Sequence, residues 1–498
     1  MAEVLASYDG IEIVRKSESE LPFYNVKELK FSPSEMGIIE NPTNMMGDYK
    51  SILSRLEVFR TTKDKEDFLD HYIRDHLKDR NITPENMTKI VSLIMDKIFF
   101  GYGKIGPMMR DDNLEEIMIN GLELPVFVVH RRLGMCITNI IYNTPDEVHE
   151  LIEWLARNAG RKIDDRTPLL DGHMPDGSRA NVVIAPASPK GPVITIRRFR
   201  RNPFTIIDLI ESKGLNSDLA AFLWVCIEGF GIHPCNMLIA GGSGSGKTTL
   251  MNALAMFIPQ YERIVTIEDT LELNFDFLKN WVAMEASPSL IERTSGGIDM
   301  QSLVENSLRM RPDRVIIGEI RGKEAETIFV AMDIGLNGSM GTIHSNTAKD
   351  TTIRLTSEPM NLPIRMFPLL DLIVVANRRY DKNVGLIRRV TEVGEIAGLE
   401  GDVVQIGQIY KLNPKTEEIG RTEYPILMTE KIAYRCRLSK QQVTFEIVKR
   451  RCVLEAMIKR GIRSEADVIK TFQEYHRNPD AVLLKLGVAD MLRSQQSQ

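Results

Sequence analysis

Residues 236–250 read NMLIAGGSGSGKTTL: a short apolar run, then Gly241-x4-Gly246-Lys247-Thr248, then apolar residues at helical spacing (Leu250, Leu254, Phe257). Gly241, Gly242, Gly244 and Gly246, with Ser243 and Ser245 between them, let successive backbone N–H groups turn inward around an anion. A helix beginning there adds roughly half a positive charge at the same point. With a strand before and a helix after, the segment reads as a phosphate-binding loop rather than a glycine-rich turn. In that chemistry Lys247 bridges the β- and γ-phosphates of ATP and the Thr248 hydroxyl ligates Mg2+. Thr249 completes the set of residues expected to line the nucleotide.

Binding a nucleotide is not hydrolysing it. Hydrolysis also needs a group that orients or deprotonates water and a second carboxylate near the metal. Two downstream segments supply candidates. RIVTIEDTLEL (263–273) is an apolar strand running into Glu268, Asp269 and Glu272. RMRPDRVIIGEIR (309–321) carries a strand into Gly318 and Glu319, the logic of a Walker B carboxylate with Glu in place of the usual Asp. Strand C-terminal ends are where open α/β sheets bind ligands. Taken alone, either cluster also reads as a solvated strand end; the loop upstream is what turns both into site residues. A third segment, GTIHS (341–345), places His344 at the end of another short run, as a γ-phosphate sensor, a link to a neighbouring subunit, or a satisfied polar residue.

The elements that must hold these groups follow from pattern. From Ile206 to about 425, strand-like and helix-like segments alternate, which predicts an α/β domain on a parallel sheet. Between about 101 and 200, short alternating runs (IMING, VFVVH, CITNIIY) surround the helix TPDEVHELIEWLARNAG and predict an α+β domain. Residues 49–100 carry apolar positions at helical spacing, and Thr83-Pro84 marks a helix start. Residues 1–45, with Pro22, Pro33 and Pro42 and little period, read as an irregular, strand-poor leader. The tail from Leu427 is helical by period, and RRFRRNPFTIIDLIESKG reads as a hinge between domains or as a solvated basic helix start. The expected division is 1–95, leader and small helical domain; 96–200, α+β domain; 201–215, linker; 216–425, ATPase core; 426–498, helical region.

Composition narrows the class. In 498 residues, a net charge of -5 and 26% charged residues provide no global field toward nucleic acid. The five cysteines are scattered, with no C-x-x-C pair, which argues against a disulfide framework or a structural zinc and for a reducing cytosol. No stretch reaches the roughly 18 uninterrupted apolar residues that a membrane span requires, and the N-terminus has no signal-peptide pattern.

These motifs, in this order, resemble the secretion ATPase superfamily that powers type II secretion, type IV pili and archaella. LEEIMING (114–121) and PDGSR (175–179) are similar to that superfamily's N-terminal signatures. RMRPDRVIIGEIRGKEA, GLIRRVTEVGEIAGLEGD and RRCVLEAMIKRGIR look most like the archaeal branch, in which the archaellum motor ATPase and the adhesive-pilus ATPase are not separated by motif. The resemblance implies a RecA-like P-loop ATPase domain preceded by an α+β, PAS-like domain, with helical N-terminal and C-terminal extensions, assembled as a homo-hexamer with nucleotide between subunits. It implies that Glu272 activates water, that Glu319 belongs to the Mg2+ shell with Thr248, and that His344 couples the site to conformational change. Arg179 and Arg197 or Arg198 match the N-terminal-domain arginines that reach the phosphates, although adjacent arginines could share one role. The implied partners are a polytopic membrane platform protein and, in archaellum systems, a second cytosolic ATP-binding protein. That places the chain in the cytoplasm at the inner face of the membrane. The basic C-terminal helices (Lys449, Arg450, Arg451, Lys459, Arg460, Arg463) offer anionic-lipid contact or a solvated face. Two competing readings are a RecA-like nucleic-acid translocase, opposed by the charge balance, and an ATP-sensing regulator without turnover, opposed by the presence of Glu272 and Glu319.

Overall fold

The computed structural model describes residues 2–27, 31–42, 52, 55–56, 58–59, 62–80, 82–174, 176–198, 203–286, 298–381 and 385–488. Pro175 of the PDGSR signature and residues 199–202 of the expected hinge lie outside them. The chain divides into two compact units, Met1–Arg201 and Asn202–Gln498.

The first unit is built on one sheet. Its strands are β1 (Ala2–Tyr8), β2 (Ile11–Lys16), β3 (Phe23–Val26), β4 (Leu114–Ile119), β5 (Pro125–His130), β6 (Gly134–Ile141), β7 (Leu169–His173), β8 (Arg179–Val183) and β9 (Val193–Arg197). They are ordered β1-β2-β3-β6-β5-β4-β9-β8-β7, antiparallel except where β3 runs parallel to β6. Alternation drives the burial: along PVFVVH, Val126, Val128 and His130 face inward while their neighbours do not. Helix α4 (Pro145–Asn158) covers the sheet with Val148, Leu151, Ile152 and Leu155, an i, i+3, i+4, i+7 stripe.

The leader is where expectation and structure part. Residues 2–26 form three strands joined to the sheet, not an irregular segment. The signal was Asp9-Gly10: both residues have positive φ (45° and 77°) and link Tyr8 to Ile11 across a two-residue turn, the pairing that a right-twisted hairpin favours. The prolines that suggested irregularity lie beyond or between the strands. Pro33 opens helix α1 (Pro33–Glu40) behind a Ser32 capping box. The helices expected before residue 100 include α2 (Thr62–Leu77) and α3 (Pro84–Ile94), within the same compact unit as the sheet, with Thr83 capping and Pro84 in the first turn as the dipeptide predicted.

The second unit carries a mixed sheet ordered β12-β11-β13-β14-β10-β15-β16-β17-β18. Its strands are β10 (Met237–Ala240), β11 (Ile264–Glu268), β12 (Trp281–Glu285), β13 (Arg314–Ile320), β14 (Met340–Ile343), β15 (Leu372–Asp381), β16 (Gly385–Glu400), β17 (Val403–Leu412) and β18 (Ile419–Arg421). The strands from β12 to β15 are parallel, and the remainder is antiparallel. Helices on both faces explain why β10, β11 and β14 are buried along their whole length instead of alternating. One face packs against α5 (Ile206–Glu211), α6 (Ser217–Glu228) and α7 (Lys247–Ala255); the other packs against α8 (Met300–Ser307), α9 (Glu324–Asp333) and α10 (Ala348–Thr356). Within the stretch read as a linker, Thr205 and Asp208 form a capping box and Ile206 and Ile207 are fully buried in this unit.

The tail is helical, as its period predicted: α11 (Leu427–Cys436), α12 (Lys440–Lys459), α13 (Glu465–Arg477) and α14 (Pro479–Lys485). These helices share the core that α5, α6 and α7 form with one face of the sheet, where Trp224 stacks on Phe257 and meets Phe472 and Tyr475. Arg450, expected on a solvated or lipid-facing surface, is instead buried against Trp224 and Tyr475 with its charge met by Glu228 and Glu446, each at 2.7 Å. A buried guanidinium needs such pairing to offset its desolvation.

Candidate active site

Strand β10 delivers the chain to the carboxyl edge of the sheet, where Gly241–Gly246 turns back and α7 starts at Lys247. Gly241 approaches the neighbouring strand so closely that a Cβ would stand 2.2 Å from the Ala376 carbonyl oxygen. Gly246 caps the helix with φ of 92°, a conformation open to glycine without strain. Lys247 is 8% exposed; its Nζ donates to the carbonyls of Gly241 (3.0 Å) and Gly242 (3.1 Å). Ser245 Oγ is buried without a hydrogen-bond partner among the described residues. A buried ammonium against the loop carbonyls and a buried hydroxyl with no hydrogen-bond partner among the described residues are what a polyphosphate would complete.

Two chains of contacts converge on this loop. In the first, the Thr248 hydroxyl donates to Glu272 Oε2 at 3.2 Å. Asn252, one helical turn after Thr248, supports the same segment: its Nδ2 donates to the Glu272 carbonyl (3.4 Å) and its Oδ1 accepts from Asn274 N–H (2.9 Å). A hydroxyl and a carboxylate are hard oxygen donors suited to Mg2+, which takes few protein ligands when it rides on a phosphate. In the second chain, His344 Nδ1 lies 3.5 Å from Lys247 Nζ and His344 Nε2 lies 2.8 Å from Glu319 Oε1. An ammonium can only donate, so Nδ1 faces it as an acceptor and Nε2 carries the ring proton. Burial and then the Lys247 charge hold this imidazole below its ordinary pKa, which keeps it neutral near pH 7. Burial raises the Glu319 pKa, but the Arg321 hydrogen bond and charge, aided by His344 and Lys247, outweigh it and hold the carboxyl low. Arg321 spans Glu319 (2.8 Å) and Asp269 (3.1 Å).

Of the three carboxylates closing β11, Glu268 has a separate task. It is 2% exposed and accepts the backbone N–H groups of Glu272 (2.8 Å) and Leu273 (3.0 Å), so it shapes the loop that presents Glu272. Burial pushes its carboxyl up to about 8 despite those amide bonds. Between the ordinary carboxylate range and about 8, the folded chain keeps a proton that the unfolded chain has released, so this group makes the fold less stable as pH rises through that window. Glu268→Gln keeps an acceptor for the amides and removes the titration. Thermal unfolding of nucleotide-free protein should show the variant losing part of the wild-type decline in Tm between about pH 5 and 8. Parallel Tm profiles for the two proteins would refute the assignment.

The structure therefore brings Lys247, Thr248, Glu272, Glu319 and His344 together around residues 241–249. Glu319, expected in the metal shell, meets Arg321 and His344, while the carboxylate on Thr248 is Glu272. Arg179 and Arg197 belong to the other unit, where they sit opposite each other on β8 and β9. Arg179 forms a two-pronged pair with Asp171. Arg198 turns inward: its side chain is 1% exposed and 3.5 Å from Asp112, because successive strand residues face opposite sides of the sheet. Arg321 and Asn252 were missed, yet both were within reach of periodicity. Arg321 lies two residues after Glu319, just past the end of β13, and Asn252 four after Thr248 along a helix.

Residues 111–378 match the family model described as Type II/IV secretion system protein. Among curated relatives, the uncharacterized protein MJ0781 of Methanocaldococcus jannaschii is 40% identical over 331 residues, 66% of this chain and 44% of the relative; the match spans less than half of that longer protein. MJ0900 of the same organism is 30% identical over 88% of this chain and 80% of its own length. The conjugal transfer protein TrbB of Rhizobium radiobacter is 33% identical over 60% of this chain and 88% of its own. Among solved structures, the Legionella pneumophila ATPase DotB is 17% identical with a TM-score of 0.40, covering 78% of this chain and 96% of its own.

Proposed function

Because the chain belongs to the Type II/IV secretion system protein family, we propose that it is a hexameric ATPase whose hydrolysis of Mg-ATP drives assembly of an archaeal type IV pilus-like filament such as the archaellum. The observation that carries the enzymatic part is the Lys247 hub, with Thr248 touching Glu272 on one side and His344 leading to Glu319 on the other. Lys247 and the loop amides neutralise the triphosphate, and Glu272 orients and accepts a proton from the attacking water. The Thr248 hydroxyl would hold Mg2+, which would supply further charge neutralisation when bound. His344 reports phosphate contacts at Lys247 to Glu319 and Arg321. The archaeal assignment is supported by the two M. jannaschii relatives.

Among the described residues no helix is long and apolar enough to cross a membrane. On the proposed reading, a membrane-embedded platform protein is the partner that receives the force. An export motor for secretion is a second reading, favoured by similarity to TrbB and to the type IV secretion system protein PtlH of Bordetella pertussis. Purified protein should release phosphate from Mg-ATP, with stimulation by vesicles of anionic lipid and none by single-stranded DNA. DNA-stimulated turnover would instead favour a translocase. Loss of surface filaments on gene deletion, with secretion intact, would separate filament assembly from export.

A further inference from the structure

The β15–β16 hairpin carries four arginines, and its register sorts them into two pairs. Arg379 and Arg389 project to one face and share a carboxylate, Glu417. Arg378 and Arg388 are direct cross-strand partners on the other face, the one against the glycine loop. Arg388 Nε donates to the Gly244 carbonyl at 2.9 Å, and a Cβ on Gly244 would stand 2.7 Å from Arg378 Nη1. Among the described residues, no carboxylate lies within ion-pair distance of Arg378. Arg378 is thus a cation with no carboxylate beside it, set next to Arg388 and against an anion-binding loop, where an anion would balance its charge. The buried, unpartnered Ser245 Oγ belongs to the same turn of the loop.

The strand order places this pair. β13 and β14, which bring Glu319 and His344, lie on one side of β10; β15 and β16 lie on the other. The γ-phosphate belongs with the groups that handle water and metal, so the arginines face the opposite end of the triphosphate. We propose that Arg378 and Arg388 form a second cationic wall of the site, gripping the diphosphate common to ATP and ADP from the side away from Glu319 and His344. The inference rests on residues 241–249 binding nucleotide. It makes this pair a determinant of affinity for substrate and product alike, rather than of the chemical step.

The test is calorimetric titration of the full chain with Mg-ADP and with a non-hydrolysable Mg-ATP analogue at two salt concentrations. Arg378 is exposed and its loss leaves no buried partner, so Arg378→Gln should keep the nucleotide-free Tm. Affinity for both nucleotides should fall by the same factor, about tenfold, with a shallower salt dependence; Arg378→Lys should recover part of the loss. Unchanged affinity in Arg378→Gln and in the Arg378→Gln/Arg388→Gln double variant would overturn the proposal, as would a loss confined to the ATP analogue. Wild-type protein that binds neither nucleotide would overturn the underlying loop assignment, and the proposal with it.

Discussion

Lys247→Ala is expected to lower phosphate release by roughly 10³-fold or more, because the variant loses a cation that both backs the glycine loop and faces His344. The argument is electrostatic. At 8% exposure the ammonium acts in a medium of low effective dielectric, where a unit charge near the β- and γ-oxygens counts for several times what it does in water. The transferring phosphoryl group needs charge neutralisation more than covalent chemistry, so removing that charge strikes the barrier directly. Folding should survive, since alanine is a good residue for the first turn of α7 and the loop carbonyls that Lys247 engages can be hydrated. Circular dichroism and light scattering on the variant provide that control. Turnover within tenfold of wild type in a folded, assembled variant would remove Lys247 from the site.

Glu272→Gln is the second large effect, and its signature differs. The amide retains the size of the carboxylate and an oxygen to accept the Thr248 hydroxyl, so nucleotide affinity should stay within a few-fold of wild type. What is lost is the negative charge that takes a proton from water, a contribution of about 10²–10⁴ in rate. Single-turnover hydrolysis beside nucleotide titration separates the two quantities. Affinity retained with the chemical step abolished is the expected pattern; wild-type hydrolysis would transfer the role to Glu319 or Asp269, which Arg321 holds close by.

Much of the second unit was legible because its signals are local. A parallel strand buried on both faces, a glycine loop and a helix start form a continuous run of residues, so β10, Gly241–Gly246 and α7 could be read from 236–257 alone. Glu272, Glu319 and His344 were each readable as polar groups ending apolar strands. Which carboxylate meets which partner was not. Glu268 and Glu272 are four residues apart with the same chemistry, and only burial makes one a neutral loop brace while the other stays on Thr248. The leader failed for a different reason: its three prolines read as irregularity, whereas the hairpin depends on the Asp9-Gly10 turn. Arg450 failed because a basic helix reads as solvated until a partner face supplies Glu228 and an aromatic cage.

The residues by themselves determined that a glycine loop stands between a strand and a helix, that acidic strand ends follow it in order, and that the domain around them alternates strand and helix, since all three depend on neighbours within about one turn or one strand. Only the tertiary structure decided that Lys247, His344 and Glu319 form one line, that Asn252 and Glu268 aim Glu272, and that Arg378 and Arg388 stand against a loop more than a hundred residues before them in the chain. Those pairings arise from sheet order and register. They set distances between segments far apart in sequence and leave no periodic trace in either one.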